Sequence, residues 1–317
     1  MSARTPLSGT QHVLRSGEYE AIIASVGASL RSLTHAGRDL VVPFEADEMR
    51  PAFRGATLAP WPNRVVDGRY VFDGVAHELA LTEPARGHAL HGLAGWLDFA
   101  AVDKGSDHVA LAAHVEAQPG YPWRVRVEAR YRLGPDGLTQ TVVATNEGDA
   151  HVPFGAGPHP YLVAGPGPLD AWTLELPASD VLLVTGDRLA PVELAGVGRD
   201  ASRFDFRAPR PIGAAEIDHA FTTLTRDDDG RATVRVTDAA DAGVAMSWDA
   251  ACPWVQIHTA DRPGGASDPG HRAGLAVEPM TCAPDAFNDA AYPFDTGLRV
   301  IEPGGALTAS WCIAALT

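Results

Sequence analysis

Four clusters of polar side chains stand where turn-forming residues interrupt apolar stretches, the positions at which a rigid β scaffold presents functional groups. In Leu275-Ala276-Val277-Glu278-Pro279-Met280, Glu278 closes an apolar run and precedes a proline. That placement predicts a carboxylate emerging from a strand end into partly desolvated surroundings, with a pKa above about 4.3 and a stronger basicity at neutral pH. In Pro158-His159-Pro160-Tyr161 a proline on each side restricts His159 to extended backbone, which predicts a well-fixed acid or base. The bland readings stand beside these: a Glu before Pro also suits a loop cap, and a lone histidine also suits a structural role.

The other two clusters carry hydrogen-bonding groups. Pro60-Trp61-Pro62-Asn63-Arg64 is predicted to be stiff and extended, holding Asn63 and Arg64 in place. An amide beside a guanidinium can fork onto neighbouring hydroxyls or a carboxylate, and Arg64 equally suits a structural ion pair. Gly87-His88-Ala89-Leu90-His91-Gly92 supplies His91, while Asp218 and Gln256 stand in Glu216-Ile217-Asp218-His219 and Val255-Gln256-Ile257-His258. His88, His91 and His159 lack the tight spacing and the completing cysteine or carboxylate of a zinc site, so no metal is expected. Asp227-Asp228-Asp229-Gly230 reads as a solvated loop tip, since a calcium loop of the EF-hand type would need a glutamate at its twelfth position and flanking helices.

Elements that position such groups must be short. The 32 glycines and 25 prolines are dispersed through the 317 residues and cut the chain into segments of strand length. Apolar and polar residues alternate along Glu20–Val26, Arg69–Phe72, Trp123–Leu133 and Ala232–Val236, the signature of half-buried strands. Asp73-Gly74 and Gly134-Pro135-Asp136-Gly137 predict hairpins. The expected fold class is all-β, a sandwich or barrel with few short helices, and residues 1–317 are expected to form one domain.

Composition excludes several partners. The formal charge is −15, with 25 Lys and Arg against 40 Asp and Glu, which argues against nucleic-acid or anionic-membrane binding and for solubility. No 18-residue apolar run is present, and no apolar h-region follows Met1-Ser2-Ala3-Arg4-Thr5-Pro6. Cys252, Cys282 and Cys312 are odd in number and form no CxxC pair, which fits a reducing compartment. A cytoplasmic location is expected.

In their order along the chain these clusters resemble the aldose 1-epimerase family, in particular its bacterial branch with a Pro-Trp-Pro-Asn-Arg motif. Pro60-Trp61-Pro62-Asn63-Arg64 followed by Asp67-Gly68-Arg69-Tyr70 looks like the family's Asn-Arg motif, Leu90-His91-Gly92 its His-Gly motif and Pro158-His159-Pro160-Tyr161 its His-Pro-Tyr motif. Asp218-His219-Ala220-Phe221 resembles the sugar-binding Asp motif, and Glu278-Pro279-Met280-Thr281 with Pro284-Asp285-Ala286-Phe287-Asn288 the motif of the catalytic Glu. The landmarks run from about residue 20 to residue 312.

The resemblance implies a galactose mutarotase-like β-supersandwich and a cofactor-free interconversion of sugar anomers. Glu278 would act as general base and His159 as general acid; Asn63, Arg64, His91, Asp218 and Gln256 would orient the hydroxyls. Trp61 or Phe287 would pack on the apolar face of the sugar. The partner is expected to be a small-molecule sugar, bound by a monomer or homodimer. Leu93 and Leu162 depart from the commoner pattern after the His-Gly and His-Pro-Tyr motifs, in places that affect pocket walls. A phosphorylated hexose is disfavoured, because no Lys or Arg group is concentrated beside the motifs. Two other classes fit the same residues: a non-catalytic carbohydrate-binding or regulatory protein, and a glycoside hydrolase using Asp218 and Glu278 as its two carboxylates.

Overall fold

In the computed structural model, which describes residues 4–317, the alternation along Trp123–Leu133 becomes the strand Val125–Gly134. Val125, Val127, Ala129, Tyr131 and Leu133 face the core, as a period of two requires. Between them Glu128 is held on the opposite face by Arg126 at 2.6 Å and Arg130 at 2.5 Å. Pro135 and Asp136 turn the chain into Gly137–Asn146, with Gly134 paired to Gly137. Gly137 has φ 107°, and a Cβ there would run into the Ile313 carbonyl, so only glycine closes this hairpin without strain.

That hairpin belongs to a nine-stranded sheet. Its order is Ala100–Lys104, His108–Val115, Val125–Gly134, Gly137–Asn146, Ala306–Leu316, Gly243–Trp248, Ala232–Thr237, Thr173–Glu175 and Arg210–Pro211. A six-stranded sheet runs Tyr161–Leu162, Leu275–Met280, Trp254–His258, Asp218–Leu224, Ala178–Val184 and Pro191–Gly196. Four N-terminal strands between Gln11 and Asp39 form a third sheet, and Arg69–Phe72 pairs with Val75–Glu78 around Asp73-Gly74 as its turn chemistry predicts. The α-helical content described is the single turn Ala201–Phe204, with a few 3₁₀ turns. The all-β expectation holds.

One hydrophobic cluster joins these sheets, from Leu14 to Ile313, with Phe154, Phe221, Trp248 and Trp311 among its large members. Polar atoms in and beside it are paired at several points, as burial favours. Gln140 donates to Thr57 Oγ1 at 2.9 Å and accepts from Trp311 Nε1 at 2.9 Å, and the Tyr131 hydroxyl donates to the Ala28 carbonyl at 2.7 Å.

Glu278 lies inside the strand Leu275–Met280 and not at its end. Pro279 is tolerated there for a local reason. Val277 N–H and Thr281 N–H, on either side of it, bond the carbonyls of Pro160 and Ala156, so the missing donor falls on that flank and interrupts no bond to Trp254–His258.

Candidate active site

Strand register assembles one wall of a cavity. Val255, Ile257 and Val277 join the main core, so by the period of two Gln256, His258 and Glu278 face the other way. Gln256 pairs with Glu278, and His258 lies between Asp218 and Ala276. Tyr161 pairs with Ala276, which carries His159, two residues earlier, opposite Glu278. His159 Nε2 stands 3.4 Å from Glu278 Oε1, with only 6% and 2% of the two side chains exposed.

The facing wall comes from the Asn-Arg and His-Gly segments. Arg64–Val66 pairs with His88–Leu90. Asn63 has φ 57° and His91 φ 61°, which corrects the extended backbone predicted for Asn63. The left-handed turns let the two residues close on each other: His91 N–H donates to the Asn63 carbonyl at 2.7 Å, and Asn63 N–H to His91 Nδ1 at 3.2 Å. With Nδ1 accepting, a neutral His91 carries its proton on Nε2. Arg64 is held by Glu83 through Nε at 2.8 Å and Nη2 at 3.0 Å, and donates to Asn63 Oδ1 through Nη1 at 3.3 Å.

All seven residues singled out from the sequence, Asn63, Arg64, His91, His159, Asp218, Gln256 and Glu278, line one cavity of about 880 Å³. Phe53, Tyr161 and His258 line it too. The aromatic expectation is corrected: Trp61 and Phe287 are buried, pack edge-on at 5.7 Å and belong to the core. Phe53 is instead the phenylalanine that lines the cavity, 4.7 Å from the His91 ring, at a residue with φ 56° that no periodicity marks. His258 is signalled by alternation, two residues after Gln256. The fold also draws Arg86, Arg203 and Arg262 to the cavity beside Arg64, a gathering hidden by their separation in sequence; Glu83 takes up Arg64 and Arg86. His88 is structural, with Nε2 2.9 Å from the Arg188 carbonyl and Nδ1 accepting from Asp67 N–H at 3.3 Å. Among the described residues no group of three His, Cys, Asp or Glu is placed to hold a metal, and no helix is long and apolar enough to cross a membrane.

Burial controls the charges. It pushes Glu278 well above the carboxylate range, with Asp218 adding to the rise and Arg64 opposing it. Burial, helped by His258, pushes His159 down to about 3. His91 falls well below the ordinary histidine value, through burial and then His159 and Arg64. Burial would raise Asp218, yet His258, Arg64 and the hydrogen bond from Gln256 together bring it below its ordinary value. Burial therefore opposes charge on both members of the His159 and Glu278 pair. Glu278 Oε2, His159 Nδ1, Gln256 Oε1 and His258 Nδ1 are buried without a hydrogen-bond partner within the protein, polar atoms left free to meet a ligand.

A stability test follows from the sign of the Glu278 shift. Below the ordinary carboxylate pKa of about 4.3 both folded and unfolded chains hold this proton, and nothing is lost. As pH rises the unfolded chain ionises while the folded one does not, so stability falls until the folded pKa is passed. Glu278→Gln removes that loss. Its melting temperature is expected to equal wild type near pH 4.5 and to exceed it at pH 8 by a few degrees, at roughly 2–4 °C per kcal/mol for large domains. Calorimetric scans at the two pH values check this; a variant less stable than wild type at pH 8 would mean that the carboxylate is paired and charged.

Comparison with known proteins gives a consistent picture. The family model described as aldose 1-epimerase matches residues 10–310. The uncharacterized protein YihR of Escherichia coli (strain K12) is 34% identical over 282 residues, which cover 89% of this chain and 87% of that protein. A protein of the same organism named aldose 1-epimerase is 26% identical over 297 residues, covering 83% of this chain and 81% of its own. The crystal structure of a GalM/aldose epimerase homologue from C. elegans shares the fold with a TM-score of 0.82 at 19% identity, covering 97% of this chain and 99% of that one.

Proposed function

The chain belongs to the aldose 1-epimerase family, and from the chemistry of its cavity we propose that it interconverts the α and β anomers of a free aldose. The observation that carries this reading is the buried pair: His159 Nε2 and Glu278 Oε1 at 3.4 Å, each residue with a second polar atom left without a partner. A protein that only bound sugar would have no use for an acid and a base so placed and so desolvated.

The reaction moves two protons between oxygens and needs one proton on the pair. In the charged form, imidazolium and carboxylate, Glu278 takes the proton from the anomeric hydroxyl as His159 gives its own to the ring oxygen. The bond from C1 to the ring oxygen breaks and the C1 carbonyl forms. Opening thus ends with Glu278 protonated and His159 neutral, the form that burial favours. After rotation about C1–C2 the carboxyl returns its proton to the carbonyl oxygen, His159 recovers one from the ring hydroxyl, and the other anomer closes. Desolvation of the pair favours the opening half, while Arg64, which opposes protonation of Glu278, supports the charged form needed at the start.

Asn63, Arg64, His91, Asp218 and Gln256 orient the hydroxyls in this proposal. Asn63 Oδ1 is already used by Arg64, which leaves its amide as a donor, and Phe53 and Tyr161 offer ring faces to the apolar side of the sugar. The test is polarimetry of freshly dissolved α-D-glucose and α-D-galactose against the spontaneous rate at the same pH. Wild type is expected to shorten the approach to equilibrium. If it is inert across a panel of aldoses, the proposal falls and a non-catalytic sugar-binding protein takes its place.

A further inference from the structure

His258 stands outside the residues given a role so far. It ends the strand Trp254–His258, lines the cavity and keeps 23% of its side chain exposed there. Its neighbours across the sheet are Asp218 on one side and the small Ala276 on the other; beyond Ala276 the Tyr161 ring stands edge-on to it at 6.4 Å between centroids.

Its two nitrogens differ. Nδ1 is buried and has no hydrogen-bond partner, a costly state for an imidazole nitrogen. The carboxylate that faces it is Asp218, whose Oδ1 lies 3.9 Å away. That oxygen already accepts from Gln256 Nε2 at 2.6 Å and is thereby fixed in place. A movement of about 1 Å brings Nδ1–H into hydrogen-bond range of it, and no other carboxylate among the described residues lies within ion-pair distance of this ring. With the Nδ1 proton directed at Asp218, a neutral imidazole turns the Nε2 lone pair toward the cavity, since the bond made by one nitrogen sets the role of the other. Asp218 Oδ2 makes no hydrogen bond within the protein among the described residues and remains available for a neighbouring hydroxyl.

We propose that His258 is a further sugar-binding residue, positioned by Asp218 through Nδ1, that accepts a hydrogen bond at Nε2 from one hydroxyl of the aldose. The inference rests on the reading of this cavity as an aldose site. Asp218 then acts twice, holding a neighbouring donor in register and meeting the sugar itself.

The test pairs substitutions at His258 with sugars lacking single hydroxyls. Initial rates would be followed by polarimetry for glucose and its 2-, 3-, 4- and 6-deoxy forms, using wild type, His258→Ala, His258→Asn and His258→Gln. On glucose, His258→Ala is expected to raise KM about 3- to 10-fold, the weight of one neutral hydrogen bond, with kcat changed less. A glutamine amide reaches the place of Nε2 and an asparagine amide that of Nδ1, so Gln should recover most of the affinity and Asn little. One deoxy sugar should be a poorer substrate of wild type yet suffer no further loss in His258→Ala. If the His258→Ala penalty is instead the same for every sugar, or if Asn rescues as well as Gln, His258 touches no hydroxyl through Nε2 and the inference is overturned. Glucose turned over by wild type without such coupling would sink this inference alone; wild type inert on all the sugars would sink the functional reading with it.

Discussion

Glu278→Gln is expected to lower kcat for anomer interconversion by about 10²- to 10⁴-fold, the share that a positioned general base supplies, while KM changes by no more than about threefold. Gln keeps the volume and one oxygen of the carboxylate, so packing beside His159 and Gln256 is conserved; what it lacks is the capacity to take the anomeric proton. Because the functional cost falls on a residue whose ionisation is opposed by its surroundings, the same substitution should stabilise the fold at alkaline pH, and a loss of rate with a gain in melting temperature separates chemistry from damage. The pH profile of wild type adds a second reading. The active form holds one proton on the pair. A second proton enters only near the depressed His159 value of about 3, so the acid limb of kcat/KM should lie nearer pH 3 than pH 6.5. The alkaline limb follows the raised Glu278 carboxyl. An acid limb at pH 6 to 7 would mean that His159 titrates as an ordinary surface histidine and that the pair is not desolvated when sugar binds.

Much of this site is legible in the amino-acid sequence. Alternation locates the strands Arg69–Phe72, Val125–Gly134 and Ala232–Thr237 almost to their ends, because each has one face in the core and one outside. The seven polar residues chosen for their types and order converge on one cavity. What is not legible has physical reasons. Pro279 reads as a stop, and only the hydrogen bonds of Val277 and Thr281 on its own flank show why the strand continues through it. The left-handed turn at Asn63 is a property of one residue's φ, set by its closure on His91 across 28 positions. Residue type says that Trp61 is aromatic and not whether it faces the core or the cavity; the Ala89 carbonyl that accepts from its indole lies inside. Thr173–Glu175 and Arg210–Pro211, at one edge of the large sheet, have three and two residues, too few to show a period.

His159→Gln is the complementary case, and the double variant tells more than either single one. Alone, His159→Gln should cost about 10²- to 10⁴-fold in kcat, because the ring oxygen would leave as an unprotonated alkoxide beside side chains that are themselves almost wholly buried. The glutamine amide can donate a hydrogen bond to that oxygen but has no proton to give, so the substitution tests proton transfer and not merely contact. If the two residues act as a unit, with one proton passing between sugar and pair in each direction, removing the second member after the first costs little more. Glu278→Gln combined with His159→Gln is then expected to be within about tenfold of the slower single variant, far from the product of the two losses. Single-turnover polarimetry on α-D-glucose gives the three numbers. A double variant slower by the full product would show that acid and base contribute independently, each paired with some other proton carrier; His91, whose ring centroid lies 5.0 Å from that of His159, would be the first residue to change next.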